Sequence, residues 1–128
     1  MPEQVTFDVK ISVESFYQSQ SDFNNQGENY FAYRITIENL GEDSIQLISR
    51  HWHILDGVLG YREVEGDGVI GEQPIIEAGA MFRYVSGVNF NTSIGKMWGS
   101  YQMINIKNNK TFDVTIPDFL MYLPWLDN

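Results

Sequence analysis

Apolar and polar side chains alternate with a period of two along most of this chain. In "VTFDVKISVE", Val5, Phe7, Val9, Ile11 and Val13 fall on one face and Thr6, Asp8, Lys10, Ser12 and Glu14 on the other, which predicts one half-buried antiparallel strand. The polar stretch "QSQSDFNNQGEN" reads as a mobile loop. Alternation resumes in "YFAYRITIEN", with Phe31, Tyr33, Ile35 and Ile37 inward. After the turn "LGED", the run "SIQLISRHWHIL" changes phase. Its apolar positions move from odd (Ile45, Leu47) to even (Ile48, Trp52, Ile54), and since one extra residue swaps the faces of a strand, a bulge is predicted there. "DGVLG" is a hairpin signal leading into "YREVE".

Further on come "PIIE", the turn "AGA", "MFRYVSG", a polar loop "VNFNTSI" and the strand "GKMWGSYQMINI". "KNNK" then turns the chain into "TFDVTI", where Pro117, lacking an N–H, is expected to end the pairing. No segment carries a capped 3.6-residue period. Seven to eight short strands with turns at these intervals predict an all-β chain, an immunoglobulin- or fibronectin type III-like β-sandwich. A single domain is expected over 1–128, with the sandwich at about 4–117 and an apolar extended tail at 118–128. That tail crowds Phe119, Leu120, Tyr122, Trp125 and Leu126, candidate interface residues that either fold back on their own sandwich or reach a second copy of the chain.

Composition narrows the functional classes. A chain of 128 residues can form one core without staples. The absence of cysteine excludes disulfides, thiolate nucleophiles and cysteine zinc sites. A net charge of −9 should repel a phosphate backbone, so no nucleic-acid partner is expected. The charge is uneven: from Ala78 to Phe112 there is no Asp or Glu, only Arg83, Lys96, Lys107 and Lys110, a face suited to an acidic partner. The N-terminus has no apolar leader, and "FLMYLPWL" is too short to span a bilayer, so a cytoplasmic protein without a membrane partner is the expectation.

Three stretches invite chemistry. Gly66, Gly68 and Gly71 have the G-x-G-x-x-G spacing of a dinucleotide-binding turn. That turn needs a helix behind it to hold the pyrophosphate, yet "EQPIIEAGAMF" leaves no room for one, and Glu65, Asp67 and Glu72 would face phosphate with like charge. A tight structural loop accounts for these glycines better, while an anion nest built on Gly66, Gly68, Gly71, Glu72 and Gln73 stays open. "EVEGDG" starts like a calcium loop, but its twelfth position is Pro74 instead of a bidentate Glu. His51 and His53 share one face of a strand and could hold a metal with Asp56 or Glu63; the expectation is that they are structural and that no metal or cofactor is required. No nucleophile motif accompanies them, so no enzyme is expected.

The segments "FAYRITIEN", "QLISRHW", "EGDGVIGEQPII", "AGAMFRYVSG", "GSYQM" and "FDVTIPDF" together resemble the ApaG family across about residues 5–120. The resemblance implies a fibronectin type III-like sandwich. It implies small stand-alone bacterial proteins encoded near a diadenosine-tetraphosphate hydrolase and linked to cobalt and magnesium tolerance. It also implies a domain that eukaryotes use in F-box adaptors and a DNA polymerase delta-interacting protein. Ser49, Arg50, His51 and Trp52 match one family segment, and Gly99, Ser100 and Tyr101 with Met103 match another, expected to be structural. Trp98 stands where the family often has Arg, and Val88 where it often has Cys. The functional expectation is a non-catalytic module that binds an unidentified protein partner, a homodimer included. The alternative is a small-ligand or ion-binding protein, for a phosphate-containing ligand or a divalent cation, centred on the glycine loop and His51.

Overall fold

A computed structural model of the protein describes residues 1–18, 29–58 and 60–124. Its strands are β1 (Glu3–Thr6), β2 (Val9–Gln18), β3 (Asn29–Asn39), β4 (Ile45–Asp56), β5 (Gly60–Asp67), β6 (Ile75–Ile76), β7 (Met81–Phe90), β8 (Ile94–Asn105) and β9 (Thr111–Tyr122). They form two antiparallel sheets, β1-β2-β3-β7 and β5-β4-β8-β9, with β6 also paired to β4. The predicted β-sandwich is therefore present, with nine strands among the described residues instead of seven or eight. Between the sheets, Ile11, Phe31, Ile35 and Ile37 meet Leu47, Met97, Tyr101 and Ile116, all fully buried. No helix among the described residues is long and apolar enough to cross a membrane.

The predicted first strand is two strands. Phe7 and Asp8 both adopt positive φ (47° and 63°) between the paired Thr6 and Val9, the signature of a two-residue hairpin turn whose twist matches its strands. Paired residues share a face, so Thr6 goes with Val9, while Val5 and Phe7 are exposed instead of inward. The alternation of the sequence runs through such a turn unbroken, which is why it concealed one. Val9, Ile11 and Val13 are buried as predicted.

The bulge in β4 lies where the phase change puts it. Pairing to β8 shifts between Leu47 and Ser49, leaving Ile48 as the extra residue, with Leu47 buried before it and Trp52 and Ile54 after it. A second bulge corrects the expected end of the sandwich: β9 continues through Pro117 to Tyr122. Met97 pairs with Phe119 and Gly99 with Ile116, so Pro117 and Asp118 together face Trp98. Proline is tolerated because β9 is an edge strand and the bulge needs no N–H at that position. The tail thus belongs largely to the sandwich. Phe119, Met121 and Leu123 are buried in its core, Leu120 and Tyr122 are exposed, and Trp125 and Leu126 lie outside the described residues.

The loop read in "VNFNTSI" shrinks to residues 91–93. Asp56 makes this possible, accepting bonds from the Asn91 N–H (2.8 Å), the Thr92 N–H (3.1 Å) and the Thr92 hydroxyl (2.7 Å). Asp56 is thereby a loop cap, buried away from His51 and His53. The loop expected at 18–29 falls mainly on residues outside those described; Gln18 and Asn29 themselves end β2 and begin β3.

Candidate functional site

The outer face of the β4–β5 hairpin carries the densest side-chain chemistry. Beyond the bulge, Ser49, His51 and His53 point outward, and the hairpin register sets Glu65 opposite His51, Glu63 opposite His53 and Tyr61 opposite Leu55. His51 Nε2 lies 2.9 Å from Glu63 Oε1, and His53 Nδ1 lies 3.4 Å from the same oxygen. The other nitrogen of His51, Nδ1, lies 3.1 Å from Glu65 Oε1. The Tyr61 hydroxyl sits 2.7 Å from His53 Nδ1. The two imidazoles stack at 4.6 Å, and the Trp98 indole stacks on His53 at 5.3 Å with 12° between planes. The hydrogen bond from His51 holds the Glu63 carboxyl below its ordinary value, against a smaller opposing effect of desolvation.

The glycine loop is spent on its own geometry. Gly66 lies inside β5 opposite Arg50, and a Cβ there would stand 2.9 Å from the guanidinium nitrogens. Gly68 has φ +61°, and its Cβ would stand 2.0 Å from the Glu72 carbonyl oxygen. Val69 and Glu72 exchange both backbone hydrogen bonds (2.8 and 2.9 Å) across Ile70 and Gly71, both at positive φ, a second two-residue turn of the same kind. The Gly68 N–H donates to the Ile48 carbonyl, and the Gln73 amide donates to the same oxygen, so the bulge and the loop hold each other. With the amides of Gly68, Val69 and Glu72 all donating to carbonyls, little of an anion nest is left. Val69 plugs the core at 1% exposure.

Arg50, inward on β4, donates from Nη1 to the Asp67 and Gly68 carbonyls, both at 3.0 Å, and forms no ion pair among the described residues. It stands at one end of a groove between β5 and β7, each an edge strand of its sheet among the described residues. The floor is Trp52, Ile54 and Met97, and Val64, Ile70 and Val88 are among its walls. At the far end Arg62 reaches across and donates to the Asn89 carbonyl at 2.7 Å. Near Arg50 lie three phenols, Tyr33, Tyr84 and Tyr101, whose ionisation burial pushes up, furthest for Tyr84 and Tyr101, with the guanidinium opposing it. The Tyr84 and Tyr101 hydroxyls share a short hydrogen bond.

The remaining sequence candidates divide between framework and surface. Trp52 is 3% exposed and ringed by Tyr33, Tyr101 and Phe119 at 5.5–6.4 Å. Gly99 lets the β4 backbone approach, since a Cβ there would stand 2.1 Å from the His51 carbonyl oxygen. Ser49 and Ser100 line a shallow polar basin on the outer face with His51, Glu65 and Asp113. Sequence reasoning missed Glu65, Tyr61 and the Arg62 strap. The first two were within reach by counting outward from the "DGVLG" turn, where Asp56 pairs with Gly60.

A family model described as the ApaG domain matches residues 18–105. Protein ApaG of Thiobacillus denitrificans is 44% identical over 124 residues, covering 97% of each chain. Protein ApaG of Pseudomonas paraeruginosa is 45% identical over 116 residues, covering 91% of each. Among solved structures, the putative ApaA protein from Bordetella pertussis superposes with a TM-score of 0.84 at 39% identity, covering 91% of this chain and 94% of that one.

Proposed function

Because the chain belongs to the ApaG family, we propose that it serves as a non-catalytic interaction module, and that an extended segment of a partner protein binds in the groove between β5 and β7. The observation that carries this reading is the groove itself. Two strand edges border it, with no further strand on either among the described residues, above an apolar floor. A free edge offers backbone donors and acceptors to an incoming strand, and pockets for alternate side chains then select among sequences.

Charge supports one kind of occupant. Arg50 offers a cation unpaired by any carboxylate among the described residues, and β7 lies in the stretch without Asp or Glu. A segment with apolar side chains at alternate positions and one carboxylate suits both features. Against catalysis, the two imidazoles are engaged by Glu63, Glu65 and Tyr61, and no serine or threonine hydroxyl is among their hydrogen-bond partners in the described residues.

Selection of random short peptides against the protein, followed by nuclear magnetic resonance titration, tests the reading. Selected peptides should share that pattern and move amide signals of β5 and β7, and Val64→Asp should weaken them by about tenfold or more, that is 1.4 kcal/mol. Peptides that move signals on β1 and β9 instead, or bind Val64→Asp as well as the parent, would count against it.

A further inference from the structure

We propose that the outer face of the β4–β5 hairpin is a binding site for one divalent first-row transition ion such as Zn²⁺, held by His51 Nε2, His53 Nδ1 and Glu63 Oε1. One ligand atom from each of these residues lies within 4.8 Å of the other two. Bonds of about 2.0–2.2 Å to zinc bring tetrahedral neighbours to roughly 3.4 Å of one another. His51 and His53 already stand 2.9 and 3.4 Å from the single Glu63 oxygen, so small rotations of half-exposed side chains complete the set.

The surroundings suit a metal as well as the ligand atoms do. Glu65 meets the remaining nitrogen of His51 at 3.1 Å, which fixes the ring and leaves Nε2 free to coordinate. A carboxylate behind a histidine in this way is the usual support of a zinc ligand. His53 is held between the His51 ring and Trp98 by stacking, so its orientation is set before any ion arrives. The Tyr61 hydroxyl, 2.7 Å from His53 Nδ1, is the one neighbour a metal at that nitrogen would displace. Two imidazoles with one carboxylate favour Zn²⁺, Co²⁺ or Ni²⁺ over Mg²⁺ or Ca²⁺, which prefer all-oxygen sets. The site lies on the opposite side of β4 from Trp52 and the groove, so it is independent of partner binding there.

Isothermal titration of the chelator-treated full chain with ZnCl₂ tests the proposal. One ion per chain is expected, with MgCl₂ giving no heat. His53→Ala and Glu63→Gln should each weaken binding by at least about tenfold, and Glu65→Gln by roughly tenfold, as loss of a supporting carboxylate does. Unchanged melting of the metal-free variants would show that the fold is intact. Absence of Zn²⁺ binding, or binding that survives His53→Ala with unchanged affinity, would overturn the assignment. So would many weak ions per chain, the behaviour of a generally acidic surface.

Discussion

The sandwich has two seams, and only one of them is closed. Where β1 meets β9, the Thr6 hydroxyl accepts the Thr115 N–H at 3.3 Å, and Phe7 packs edge-to-face on Phe112 at 6.0 Å. Inward from β9 come Val114, Ile116, Phe119 and Met121, all buried. Where β5 meets β7 a groove stays open, and the inward residues of β5 are Arg62, Val64 and Gly66. Arg62 straps only the far end, Val64 is small and Gly66 has no side chain, so none fills the seam with apolar bulk as Phe119 does. The fold permits either outcome, and the side chains on a single edge strand decide which occurs. The open seam brings an apolar floor together with strand edges that no described strand pairs, the two things an extended ligand uses.

The largest effect should follow from removing that floor. Trp52→Ala should cost roughly 3–5 kcal/mol in urea denaturation, because the indole is buried against three other aromatic rings. Unchanged stability would mean the open seam does not rest on the core at all.

The loop that ends β5 comes next. Gly68→Val combines positive φ with a clash against the Glu72 carbonyl and should cost more than about 2 kcal/mol, whereas Gly71→Val has open space and should cost only the backbone strain, roughly 1–2 kcal/mol. Equal losses in thermal unfolding would contradict the distinction. A smaller shift is expected from Val64→Phe, which fills the groove above Trp52 with apolar surface. Stability should change by no more than about 1 kcal/mol, toward stabilisation, while peptide binding disappears. Destabilisation with binding retained would show that the groove is not vacant in the way described.

The smallest effect lies away from both seams. Arg34 makes a two-pronged bond to Glu14 on the outer face of β2 and β3, at 3.1 and 2.7 Å, and this bond holds the Glu14 carboxyl below its ordinary 4.5. A depressed folded-state value contributes stability that is present above pH 4.5 and lost as pH falls through the lowered value. Glu14→Gln should flatten that acid limb slightly, since the pair is solvent-screened. Measured midpoints from pH 6 down to the acid transition check it; a steeper limb in the variant would reverse the sign.

Local pattern made some of this legible and hid the rest. The phase change at Ile48 revealed a bulge because one residue was added to one strand. The turn at Phe7 and Asp8 stayed invisible because the two residues it inserts leave the alternation intact, and Phe-Asp is not the Asn-Gly or Asp-Gly pair such turns favour. Pro117 misled for a different reason: proline blocks pairing only where an N–H is needed, and a bulge on an edge strand needs none. The neighbourhood of His51, His53, Glu63 and Glu65 could have been counted out from one hairpin turn. The groove could not, because β5 and β7 are brought together by strand order across two sheets, which alternation within a strand does not encode.

Site-specific photocrosslinking in living host cells tests the seam account most directly. A photoreactive residue would replace Val64 in the open seam and, in a separate chain, Thr115 in the closed one. The account predicts discrete protein adducts from position 64 and none from position 115. Adducts from position 115 alone, or the same adducts from both, would contradict it.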